Sequence, residues 1–98
     1  MRTQTRKPTH PGIVFYSDVL APLGLSIKAA AEKLNVSRKH LSDLCHGKAR
    51  LSPEIATKIA AATDTSAESW LIMQTKLDVW EINQAGKPDV EPFQMQVA

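Results

Sequence analysis

The side chains best equipped for chemistry fall between positions 26 and 50, and they are hydrogen-bond donors and cations rather than a catalytic set. Ser37, Arg38, Lys39, Ser42, Asp43 and His46 are the positions of the second short helix in this stretch, its Ser37 cap included, that the core does not need. Arg and Lys donate to guanine O6 and N7, Ser meets donors or acceptors on bases, and a carboxylate such as Asp43 accepts from cytosine N4. Ser26, Lys28, Lys48 and Arg50 flank this stretch, where hydroxyls and cations grip phosphates rather than read bases. The expectation is a double-stranded DNA surface. Ser37, Arg38, Lys39, Ser42 and Asp43 face bases; Ser26, Lys28, His46, Lys48 and Arg50 face phosphates.

Other chemistries lack their residues. The sequence has no Gly-rich phosphate loop, no GxSxG and no HExxH, so no enzyme is expected. His40, Cys45 and His46 supply no fourth ligand at a tetrahedral spacing, so neither metal nor cofactor is expected. Cys45 reads instead as a small apolar residue packed under its helix. A lone cysteine makes no intramolecular disulfide and fits a reducing cytoplasm. No window reaches the about 18 continuous apolar residues of a membrane span, and the basic start MRTQTRKPTH leads into no apolar secretory region.

Charge points the same way. Residues 1–50 hold nine Lys and Arg against three acids, whereas residues 51–98 hold three Lys against seven acids. A net charge of +2 therefore hides a basic half and an acidic half, as in a chain that meets a polyanion at one end.

Five helices and no strand are expected to position these groups. Pro11 opens the first, apolar positions 13, 16, 20 and 23 follow helical spacing, and Pro22 and Gly24 close it. Ser26 caps an Ala-rich second helix to Leu34, and Asn35 suits the tight turn after it. Ser37 caps a third helix over 38–46 that Gly47 ends. Ser52-Pro53-Glu54 starts a fourth helix, with a cap, a first-turn proline and an acid at the positive end. Ser66 caps a fifth, which runs to about Gln84. A short helix, a turn and a second short helix at 26–47 is the helix-turn-helix arrangement, whose second helix enters the major groove.

Specific runs then add a family. His10-Pro11-Gly12, Pro22-Leu23-Gly24-Leu25-Ser26, Val36-Ser37-Arg38, Leu41-Ser42, Gly47-Lys48, Leu51-Ser52-Pro53-Glu54 and Ser69-Trp70-Leu71 resemble the HigA-type antitoxins of bacteria. These are a branch of the Xre/Cro-like helix-turn-helix proteins, and the resemblance covers about residues 9–84. Trp70-Leu71, Gln74, Asp78 and Trp80 separate this branch from phage-repressor relatives. The resemblance implies a five-helix, lambda-repressor-like domain with short irregular tails. It implies a homodimer that represses its own operon and neutralises a HigB-type ribonuclease toxin. Ser37, Arg38, Lys39 and Ser42 match base-facing positions of that family, and Lys28, Lys48 and Arg50 match phosphate-facing ones. Ile27 stands where relatives often carry Gln, Asn35 replaces a turn glycine, and His40, Asp43 and His46 are less usual.

The expected division is a basic arm over 1–8, the helix-turn-helix domain over 9–84 with a dimerisation helix from about 66, and a tail over 85–98. The fifth helix carries Trp70, Leu71, Ile72, Met73, Leu77, Val79, Trp80 and Ile82, too many apolar side chains for one stripe. Trp70 is assigned to the core, and Leu77, Trp80 and Ile82 to a dimer interface that sets two recognition helices about 34 Å apart. Two functions share this fold: an operator-binding antitoxin, and a stand-alone regulator or toxin-inhibiting module with weak DNA binding.

Overall fold

The computed structural model describes residues 6–94, so the expectations for residues 1–5 of the arm and 95–98 of the tail lie outside the described residues. Among these the chain is all-helical, with α1 over Pro11–Leu23, α2 over Ile27–Leu34, α3 over Arg38–Cys45, α4 over Pro53–Thr63 and α5 over Ala67–Gln84. Each of the four serines expected to cap does so: Ser26, Ser37, Ser52 and Ser66 accept from the amides of Ala29, His40, Ile55 and Ser69. His10 caps α1, its Nδ1 accepting from the Gly12 amide at 2.9 Å.

Two features go beyond the sequence-based expectation. The middle of α1, Tyr16–Leu20, is a π-helical turn in which the Ala21 amide donates to the Tyr16 carbonyl five residues back. Pro22 explains it, since proline has no N–H and its ring crowds the carbonyl four residues before, so the widened turn lets α1 continue to Leu23. Helix ends turn through left-handed residues at Gly24, Asn35, Gly47 and also Asp64, where φ is 55°. A short polar side chain tolerates that conformation better than most.

α1 and α2 meet at 103°. The core beneath them is built from Phe15, Leu20, Leu34, Leu41, Leu44, Ile59 and Trp70, with Cys45 buried as an apolar member. Phe15 and Trp70 meet edge to face at 6.0 Å, and the Trp70 Nε1 donates to Thr65 Oγ1 at 2.8 Å. α1 crosses α3 so closely that a Cβ at Gly12 would lie 1.8 Å from the Leu44 carbonyl oxygen. Only glycine fits there.

One assignment is corrected. Leu77 belongs to the protomer's own interior at 4% exposure, because it lies on the Trp70 side of α5 and turns inward with it. It is not available to a second subunit.

Candidate nucleic-acid interface

The α2–turn–α3 unit is fixed from beneath. The Asn35 amide donates to the Glu32 carbonyl and the Val36 amide to Ala31, which stops α2 and reverses the chain within three residues. Leu41, Leu44 and Cys45 then anchor α3 in the core. What remains outward is the face carrying Arg38, Lys39, Ser42 and Asp43, with Ser37 at its cap, so the structure places the five residues expected to face bases on one helix, and His46, expected to face phosphate, follows at its end.

Not all of that face is free. Lys39 Nζ lies 3.1 Å from Asp43 Oδ2, one turn along, which leaves the pair close to neutral. His46 folds back, its Nδ1 2.7 Å from the Ser42 carbonyl oxygen. The hydroxyl oxygens of Ser26 and Ser37 accept from helix amides, and their own O–H groups stay available as donors. Arg38, Lys28 and Lys48 are exposed and have no ion partner among the described residues. With Lys33 of α2, also exposed and in none of the ion pairs, they carry the free positive charge of the unit.

Arg50 is held differently. Its guanidinium Nη1 donates to Asp78 Oδ1 of α5, which also accepts from Gln74 Nε2 at 2.9 Å. Gln74 is buried, and its Oε1 accepts from the Leu51 amide at 2.9 Å. The guanidinium and Gln74 together hold the Asp78 carboxyl below its ordinary range. Sequence reasoning gave Gln74 and Asp78 no role here. The available signal was Gln74 itself, an amide on the same helical face as Trp70 and Leu77, where a buried polar group needs a partner.

His10 closes this corner. Burial lowers its pKa, against a raising contribution from a hydrogen bond to the Ala49 backbone and from Glu81 and Asp78. The ring is therefore neutral near pH 7, as a cap that accepts at Nδ1 must be. Lys7 Nζ stacks 5.9 Å from the Trp80 ring centre, bringing this part of the arm against α5. Beyond these contacts α5 exposes Ile72 (53%), Val79 (50%) and Ile82 (67%), while Trp80 is half-buried. Among the described residues no group of three or more His, Cys, Asp or Glu is placed to hold a metal ion, and no single helix is long and apolar enough to cross a membrane.

Known proteins share this fold. The family HTH_3, helix-turn-helix, matches residues 18–70. The uncharacterized HTH-type transcriptional regulator YbaQ of Escherichia coli K12 is 39% identical over 82 residues, which cover 84% of this chain and 73% of that protein. Antitoxin HigA-1 of Vibrio cholerae is 36% identical over 81 residues, covering 83% of this chain and 76% of the relative. The Pseudomonas aeruginosa antitoxin HigA, solved with the higBA promoter, superimposes with a TM-score of 0.82 at 25% identity, over 90% of this chain and 100% of that one. The motifs that resembled HigA-type antitoxins thus lie on the same fold, and the chain belongs to the HTH_3 helix-turn-helix family.

Proposed function

We propose that this chain is an antitoxin that binds operator DNA as a dimer, represses its own operon and neutralises a HigB-type ribonuclease toxin. The observation that carries the reading is the outward face of α3. It carries a free Arg38 beside the Lys39–Asp43 pair, next to two capped helix N-termini, and it is anchored from beneath by apolar side chains only. Helix N-termini present unpaired amides and positive potential to phosphate. The likeness to an antitoxin solved with its promoter, over nine-tenths of this chain, supports the same use.

In this reading α3 lies in the major groove, with Ser37, Arg38, Lys39 and Ser42 toward bases. Asp43 accepts from cytosine N4 or orients Lys39. Ser26, Lys28, His46, Lys48 and Arg50 hold phosphates on either side. The unit of function is residues 9–84, which acts in the cytoplasm with no cofactor and no catalysis of its own. Ile82 and Trp80, joined by Ile72 and Val79, form the dimer surface that sets the half-site spacing.

The test is binding to the DNA upstream of its own gene against scrambled DNA of equal length, at about 50 and 200 mM salt. Non-specific phosphate binding collapses over that range, while base readout keeps a preference. A retained preference that falls by about 1–3 kcal/mol in Arg38→Ala supports the reading. Equal weak binding to both fragments overturns the repressor half. Rescue of growth when the product of the adjacent gene is co-expressed tests the antitoxin half. The E. coli relative, described as a transcriptional regulator, favours a stand-alone regulator if that rescue fails.

A further inference from the structure

Gln74 and Asp78 sit one turn apart on α5 and hold two adjacent residues of the loop that follows the recognition helix. Gln74 takes the Leu51 backbone amide; Asp78 takes the Arg50 side chain; and Gln74 Nε2 joins the two by donating to the same carboxylate oxygen that Arg50 reaches. Gln74 is the one buried polar side chain among the described residues, so this contact is built into the core rather than formed on the surface. The carboxylate is recessed, with the Asp78 side chain 26% exposed, whereas the Arg50 side chain is 69% exposed. A guanidinium carries five donors in a fixed plane, and Asp78 engages one nitrogen. With the side chain 69% exposed, the remaining donors are open to solvent.

We propose that Gln74 and Asp78 are positioning residues for DNA binding, which fix the guanidinium of Arg50 in the orientation that takes a backbone phosphate beside the recognition helix. A free arginine side chain loses most of its rotamer freedom when it is fixed on a phosphate. Here the contact with Asp78 restricts that freedom before DNA arrives, and the recessed carboxylate leaves the more exposed guanidinium to meet the polyanion. This inference rests on the DNA-binding reading above.

The experiment is a salt series of binding to the upstream DNA fragment for the full chain and five variants. Arg50→Gln weakens binding and lowers the salt slope by about 0.9, one phosphate's worth. Asp78→Asn, with folding and association state checked by thermal melting and sedimentation, weakens binding about two- to tenfold, as expected of one side chain that must be ordered on binding. The double variant Arg50→Gln/Asp78→Asn binds no more weakly than Arg50→Gln alone, because Asp78 acts only through Arg50. Should Asp78→Asn fail to fold, Arg50→Lys on the exposed loop carries the test. It keeps the charge and the slope but lacks the planar donors, and loses about two- to tenfold.

Tighter binding by Asp78→Asn overturns the proposal, since Asp78 would then compete with phosphate. Equal weakening by Asp78→Asn with and without Arg50, an unchanged slope in Arg50→Gln, or full affinity in Arg50→Lys overturns it as well. Arg38→Ala separates the two levels. If Arg38→Ala loses the preference for upstream DNA while the Arg50 and Asp78 variants bind as tightly as wild type with an unchanged salt slope, only the positioning role falls. If wild type shows no preference and Arg38→Ala matches it, the DNA reading falls and the positioning role with it.

Discussion

α3 and α5 both turn one face to solvent, and they finish that face in opposite ways. On α3 the outward side chains are polar; Arg38 stands free, and the others pair within one turn, Lys39 with Asp43 and Ser42 with His46 at the helix end. On α5 the outward side chains include Ile72, Val79 and Ile82, while its polar residues Gln74 and Asp78 reach 23 and 28 positions back along the chain to Leu51 and Arg50. A face of exposed donors and cations in water is complete as it stands and can exchange water for phosphate and base edges. A face of exposed aliphatic side chains is complete only against another apolar surface. That difference fits the function proposed above, in which α3 meets nucleic acid and α5 a second protomer.

The sharpest way to break this contrast is to unseat α3. Gly12→Ala forces a methyl group onto the Leu44 carbonyl oxygen, 1.8 Å from the ideal Cβ position, and backbone on both sides must move. We expect a loss of more than about 3 kcal/mol of stability, beyond ordinary overpacking because the obstacle is backbone. Urea titration measures it, and a loss under about 1 kcal/mol would mean the α1–α3 contact is looser than described here.

A smaller effect is expected on the other helix. Val79→Glu with Ile82→Glu leaves the protomer core untouched, since both side chains are at least half exposed. It should shift the protein from dimer to monomer by at least about tenfold in dissociation constant, because each side chain loses its apolar burial and a charge is desolvated in its place. Sedimentation at micromolar concentration with an unchanged melting temperature is the expected outcome. A dimer of undiminished strength would remove α5 from the interface.

The two helices also differ in how far they could be read from the sequence. Everything that makes α3 what it is lies within a few residues. The Ser37 cap, the Gly47 stop, the inward Leu41 and Leu44, and the outward spacing of Arg38, Ser42 and His46 are local signals, and the structure has each of them. The boundaries of α5 were equally legible, from Ser66 to Gln84. Which of its apolar residues turn inward was legible only through helical phase: Leu77, seven residues after Trp70, shares its inward face, and assigning it to a second subunit on hydrophobicity passed over that spacing. The Gln74–Leu51 and Asp78–Arg50 bonds depend on how α5 docks against the loop, and that geometry has no local trace beyond a glutamine on an apolar face. The π-helical turn of α1 was legible in principle, since Pro22 sits where a regular helix would need its N–H.

His10 tests where the two helices meet, and its effect is the smallest expected. Its ring caps α1 through Nδ1, while the Ala49 backbone beside the recognition unit and Glu81 and Asp78 of α5 surround it. Its folded pKa lies below the ordinary 6.5, chiefly through burial, so the unfolded chain takes up a proton first as the pH falls. The contribution of His10 to stability is therefore complete above about pH 6.5 and declines as the pH drops through the lower folded value. Protonation at Nδ1 removes the acceptor for the Gly12 amide, so the loss approaches at most about 1 kcal/mol, the worth of an N-cap. Thermal melts at pH 7.5 and 5.5 should show a drop of a few degrees in wild type, about what that energy means for a domain of this size. His10→Asn keeps a capping oxygen that does not titrate, and in that variant the His10 share of the drop should vanish. An identical drop in both proteins would assign the pH dependence to other groups and leave the His10 ring indifferent to its charge.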